Sequence, residues 1–130
     1  MRLNEGRVEA VAAVSDLATA REFYEQKLGL PPGLEEDGGV RYPCAHGTAL
    51  FVYLSPENAG SSRATVAGWF VDDLDQTVDE LASRGVTFEH YDQPGIKTDD
   101  RGVFDNGRLR AAWVTDPDGN TIALTEVREV

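Results

Sequence analysis

The strongest constraint on this chain is that it repeats itself. Val8–Val14 is an apolar, β-compatible run, after which Ser15-Asp16-Leu17 opens a helical pattern. Asp16 suits an N-cap, because its carboxylate can accept the free N–H groups of the first turn. Leu17, Ala20, Tyr24 and Leu28 follow at helical spacing with Phe23 beside them, and Gly29 stands where a C-cap glycine belongs. About 57 residues on, the pattern returns. Val66–Val71 reads as a strand, Asp72-Asp73-Leu74 opens a second helix, and Asp73 with Gln76 has capping-box spacing. Leu74, Val78, Leu81 and Ala82 supply the apolar face, and Gly85 ends it.

Each helix leads into short strands. The first set is Leu34–Glu36, Val40–Pro43 and Ala49–Leu54; the second is Thr87–Tyr91, Leu109–Thr115 and Thr121–Val127. Asp116-Pro117-Asp118-Gly119-Asn120 is a hairpin turn in which proline presets φ and glycine accepts a positive φ, and Cys44-Ala45-His46-Gly47 is its shorter counterpart. The Ser-, Gly- and Asn-rich stretch 56–63 links the halves. The expectation is an α+β chain forming one domain over 1–130, with one βαβββ unit over 7–55 and another over 64–128.

Composition removes several function classes. A length of 130 residues suffices for one core, and 41% hydrophobic with 27% charged residues is ordinary for a globular protein. No run approaches the roughly 20 apolar residues of a membrane span. The N-terminal residues lack the apolar core of a signal peptide, and the single cysteine, Cys44, has no partner in the chain, which suits a reducing, cytoplasmic setting. A net charge of −11 opposes nucleic acid and anionic membrane as partners, since both need clustered basic residues.

The V-S-D-L opening, the V-D-D-L-D second opening and the D-P-D-G-N turn, carried on two βαβββ units, resemble the vicinal oxygen chelate superfamily. That group includes glyoxalase I, extradiol dioxygenases, fosfomycin-resistance enzymes and bleomycin-binding resistance proteins. The resemblance implies a curved mixed sheet with a U-shaped cleft, helices on its convex face, and a homodimer. It also implies where a metal would be held, on four concave-face strands, at Glu9, Phe51, Val66 and Ala123. Three of these lack a donor atom, so neither a metal nor any other cofactor is expected. A displaced site recruiting His46 or His90 is the alternative, and neither histidine has ligand spacing.

Strand alternation then places Val11, Ala13, Ala49, Tyr53, Gly68, Phe70, Thr121 and Thr125 on the face shared by those four positions. The candidate ligand-binding residues are Glu9, Phe51, Tyr53, Val66, Phe70, Tyr91, Ala123 and Thr125, a lining suited to a small aromatic or amphipathic molecule. Glu9 is the informative member. A carboxylate in an apolar strand needs a partner, such as Arg108 or Arg110, or it faces solvent in the open cleft; where desolvated, it could serve as a general base. Trp69 is expected under the helices, and the facing of Trp113 is open. Tyr91–Gly102 reads as a long loop in which Tyr91, Lys97 and Thr98 close over a ligand. The leading function is metal-independent small-molecule binding; the alternative is lyase, isomerase or dioxygenase chemistry through Glu9 or a non-standard metal site.

Overall fold

Alternation of buried and open residues divides the strands into two mixed sheets of the same topology. The structure is a computed structural model that describes residues 2–128. In the first sheet β1 (Ala10–Val14), β4 (Ala49–Leu54), β3 (Gly39–Pro43) and β2 (Leu34–Glu36) lie in that spatial order. In the second, β5 (Thr65–Phe70), β10 (Thr121–Val127), β9 (Leu109–Thr115) and β8 (Phe104–Asp105) repeat it. The β1–β4 and β5–β10 pairs are parallel and their neighbours antiparallel. Among the described residues, no helix is long and apolar enough to cross a membrane.

The helices begin where their caps require. The Asp16 carboxylate accepts the Thr19 N–H at 3.1 Å and starts α1 (Leu17–Arg21), which continues as a π-helical turn over Glu22–Lys27. The Asp73 carboxylate accepts the Gln76 N–H at 3.0 Å and starts α2 (Leu74–Ser83). The Gln76 side chain does not complete a capping box; it turns to Glu80. Ala20, Phe23, Tyr24, Leu74, Val78 and Leu81 lay the helices against one face of the sheets, over Ala12, Val14, Leu50, Val52, Val114 and Ile122. The opposite faces stay open.

The expected strand at Thr87–Tyr91 does not form. Val86 and Phe88 are both buried, which gives the segment its alternating look, yet only Phe88 bridges to β9, through Val114. The rest of that edge is taken by β8, the true counterpart of β2. The expected loop contains a small hairpin, β6 (Asp92–Gln93) with β7 (Ile96–Lys97), turned at Pro94-Gly95.

One carboxylate joins the halves. Asp116, 4% exposed, lies in the turn between β9 and β10. Its oxygens accept the Asp118 and Asn120 N–H groups, the Asn120 amide and the Tyr24 hydroxyl, at 2.8 to 3.0 Å. Asn120 Nδ2 also donates to the Ala13 carbonyl at 2.7 Å, and Ser15 donates twice to Asp118. The Tyr24 phenol, buried and facing that charge, is pushed well above its ordinary range and so stays a donor. Gly60 of the linker closes over the same turn, with φ +61° and room for a Cβ only 1.8 Å from the Asp118 carbonyl oxygen.

Two predictions follow from these contacts. Every lone pair of Asp116 meets a donor, so Asp116→Asn turns an amide N–H toward other donors and should cost on the order of 3 kcal/mol in urea unfolding, against about 1 kcal/mol for Tyr24→Phe. On the helix side, hydrogen bonds from Arg110 and then Arg101 hold the Asp75 carboxyl at about 2, below its ordinary 3.8. A depressed carboxyl stabilises the fold above its unfolded value and ceases to do so as pH falls through its folded one. The stability difference between the native chain and Asp75→Asn, measured at pH 6, should therefore shrink between about pH 4 and pH 2.

Candidate functional site

The open face of the first sheet is filled by its own side chains. Register sets Phe51 opposite both Val11 and Arg41, and Tyr53 opposite Ala13 and Gly39. The Phe51 and Tyr53 rings stack at 6.4 Å with 4° between planes, and Phe51 lies against Gly39, where a Cβ would meet it at 2.8 Å. The Arg41 guanidinium lies over the Phe51 ring at 5.2 Å, pairs with both oxygens of Glu36, and bonds Glu9 Oε1. Glu9 therefore takes its charge partner from Arg41. The expected Arg108 and Arg110 lie elsewhere: Arg108 is exposed, and Arg110 faces the helices and grips Asp75. The second oxygen of Glu9 is buried without a hydrogen bond, 3.7 Å from Arg7.

The second sheet is different because smaller residues occupy the equivalent places. By register, Ala123 matches Phe51, Thr125 matches Tyr53, and Trp113 matches Arg41. Toward the Asp116 turn this sheet borders a cavity of about 710 Å³, with Trp113 and Tyr91 among its walls; Ala123 and Thr125 are not part of its lining. The two rings meet edge to face at 5.3 Å, and Phe104 packs on the indole at 6.4 Å. Thr65, Thr115 and Thr121 supply hydroxyls, Ile96 comes from the hairpin, and Glu89 and Arg63 supply charge. Burial raises the Tyr91 phenol above its ordinary range, and the charge of Glu89 adds to the rise. The phenol is neutral and able to donate.

A third space, about 450 Å³, lies at the seam where β1 meets β5. The turn Cys44–Gly47 sits here as the counterpart of the Asp116 turn: Cys44 N–H to the Thr48 carbonyl matches Asp116 N–H to the Asn120 carbonyl. Thr48 stands where Asn120 would, but its hydroxyl bonds Ala45, so this end of the seam is unbolted. Cys44, His46 and Phe70 line it, and Phe70 is 79% exposed.

The eight expected ligand residues thus do not converge on one cavity. Tyr91 lines the second-sheet cavity, Phe70 the seam, and Glu9, Phe51 and Tyr53 the filled first face. Ala123 and Thr125 lie on the second face opposite Trp113 and Ala111. Val66 falls at a β-bulge, because Thr121 pairs with Thr65 and Ile122 with Ala67; the extra residue packs on the core, and Thr65 lines the cavity instead. Lys97 and Thr98 do not line that cavity. Thr98 closes the hairpin base through Tyr91. Trp69 packs beneath α2 beside Leu81, as expected.

A family model for the glyoxalase/bleomycin resistance protein/dioxygenase superfamily matches residues 7–124. The chain belongs to that superfamily. A glyoxalase/bleomycin resistance protein from Catenulispora acidiphila has 28% identity and a TM-score of 0.68, over 94% of this chain and 98% of its own. Another from Streptomyces sp. CB03234 has 27% identity and a TM-score of 0.63, over 92% and 98%. TnmS3 from the same source, an antibiotic binding protein, shares the fold at 24% identity and a TM-score of 0.64, over 95% and 96%. No curated protein matches the chain in sequence.

Against the superfamily's metal positions the residues present do not fit. Phe51 lies opposite Val11, two residues beyond Glu9, and Ala123 opposite Gly68, two beyond Val66, so the repeat carries the same register in both halves. The only donor among the four, Glu9, is held by Arg41. No group of three or more His, Cys, Asp or Glu side chains among the described residues is placed to hold a metal ion. His46 is at the seam and His90 lies exposed beside Lys97, in separate places.

Of the residues lining this cavity only Tyr91 is among the expected ligand residues; Trp113, Glu89 and Thr65 are among those the sequence did not assign to it. The signal for Trp113 was parity with Ala111 once β9 is placed; none existed for Thr65, because the bulge is invisible in the sequence. Arg41→Met should lower stability in urea unfolding, and adding Glu9→Gln should restore part of the loss, because one partner lost alone strands a partly covered charge.

Proposed function

We propose that this chain binds a small aromatic or amphipathic molecule without a metal, in the cavity on the second sheet, and that it acts as a cytoplasmic homodimer. The observation that supports this reading is the pairing of a cavity of about 710 Å³ with an edge-to-face Trp113–Tyr91 wall. Such a volume suits a drug-sized ligand, and aromatic walls give large contact area at small entropic cost. An antibiotic-binding protein with this fold lends the reading further support. Catalysis through Glu9 is the weaker alternative, since Arg41 already engages it.

The test is a ligand titration read by fluorescence. The two tryptophans are separable, because Trp69 lies under the helices and Trp113 lines the cavity. In a Trp69→Phe chain, a flat aromatic ligand should quench Trp113 saturably. Tyr91→Ala should weaken binding about tenfold or more, equivalent to roughly 1.4 kcal/mol. Phe51→Ala should leave affinity unchanged. Affinity that survives loss of Tyr91 but falls with Phe51 would move the site to the first sheet. Metal analysis after incubation with Zn, Ni, Mn and Fe(II) and desalting should give well under one equivalent per chain, and a retained stoichiometric metal would refute the metal-independent reading.

A further inference from the structure

The chain gives each of its covered acids a partner, with one exception. Among the described residues the buried or half-buried carboxylates are Glu9, Glu25, Asp75, Glu89, Asp116, Asp118 and Glu126. Glu9 has Arg41, Glu25 has Arg21 and Tyr42, Asp75 has Arg110 and Arg101, and Glu126 takes the Leu74 N–H. Asp116 and Asp118 are bound within the joint. The Glu89 carboxylate accepts no hydrogen bond and enters no ion pair among the described residues, and it is the acid that lines the aromatic cavity.

Its position there is fixed. The Glu89 N–H donates to the Trp113 carbonyl at 2.8 Å, and Tyr91, two residues on, lies along the same wall. Arg63, the other charged residue of the lining, precedes β5 and is separated from Glu89 by β10 and β9, outside ion-pair distance. A carboxylate without a protein partner, in the lining of a cavity walled by two aromatic rings, is free to meet a cation. A ligand ammonium placed there gains a charge-assisted hydrogen bond and, from the ring faces, a cation–π attraction of about 0.5–2 kcal/mol. An anionic ligand is repelled at the same point.

On the reading of this cavity as the ligand site, we propose that Glu89 makes it selective for an aromatic molecule carrying a protonated amine. Calorimetric titration with 2-naphthylmethylamine, the isosteric alcohol 2-naphthalenemethanol and 2-naphthoate tests it. The amine is expected to bind about tenfold more tightly than the alcohol, the carboxylate more weakly than either, and added salt should narrow the gap. Glu89→Gln, a nearly isosteric change checked by circular dichroism, should bring the affinity for the amine down to that for the alcohol. Equal binding of amine and alcohol by the native chain would overturn the charge selectivity and leave the cavity reading standing. A preference that persists in Glu89→Gln would remove Glu89 from the role. Binding of none of the three would overturn the cavity reading itself.

Discussion

Everything on the open side of this molecule depends on the buried carboxylate of Asp116. Its two oxygens collect Tyr24 from the first unit's helix, the backbone of its own turn, and the Asn120 amide that reaches Ala13 on β1. Four donors around one buried anion tolerate little rearrangement, since each bond lost leaves a charged group short of a partner in a low dielectric. The π-helical turn over Glu22–Lys27 carries Tyr24 into this joint; such a turn is rare, and its retention here has that evident structural use. The mutual placement of the two sheets is thereby set by chemistry at one end of the seam. At the other end, Cys44 and Thr48 stand in the matching places, offer no carboxylate and no amide, and leave a space. Duplication produced two equivalent joints, and only one is bolted.

The same departure from symmetry decides which face is open. A repeat with equal side chains would give two equal faces. Here Phe51, Tyr53 and Arg41 answer to Ala123, Thr125 and Trp113. The first trio satisfies itself: the rings stack, the guanidinium covers one of them, and two glutamates neutralise the guanidinium. The second trio cannot. The indole of Trp113 is met by Phe104 from β8, the neighbouring strand, and by Tyr91 from the segment ahead of the β6–β7 hairpin. The hairpin is part of the cavity through Gln93 and Ile96.

The sequence carried the parts of the fold that obey local rules. The Asp16 and Asp73 caps, the D-P-D-G-N turn and the strands Leu34–Glu36, Ala49–Leu54, Leu109–Thr115 and Thr121–Val127 stand as read, because each rests on a neighbouring residue or on a period of two. Thr87–Tyr91 misled because burial of Val86 and Phe88 imitates strand alternation without a strand partner. The sequence leaves Glu9 either an arginine such as Arg108 or Arg110 or the solvent, whereas its partner, Arg41, lies one strand beyond Phe51 in the first unit. Such a pairing is a matter of register between strands, and no local pattern encodes it. Val66 was displaced by a bulge, which a one-residue shift in pairing creates and side-chain parity cannot foretell.

The site was legible as a face and not as a place. Parity gave the correct side for Phe51, Tyr53, Phe70, Ala123 and Thr125, yet parity does not say whether a face is filled by its own side chains or left open to a ligand. That depends on the volumes of residues on adjacent strands, and on where charges find partners. Glu9 attracted attention because it is an acid in an apolar run, and the structure answers its charge from within. Glu89 drew none, since it stands between Phe88 and His90 in a mixed stretch, yet among the described residues it is the acid lining the aromatic cavity with no protein partner. An unusual residue in a sequence marks a local cost, and the fold usually meets that cost itself. What remains for a ligand is the charge that the fold, once complete, has not met.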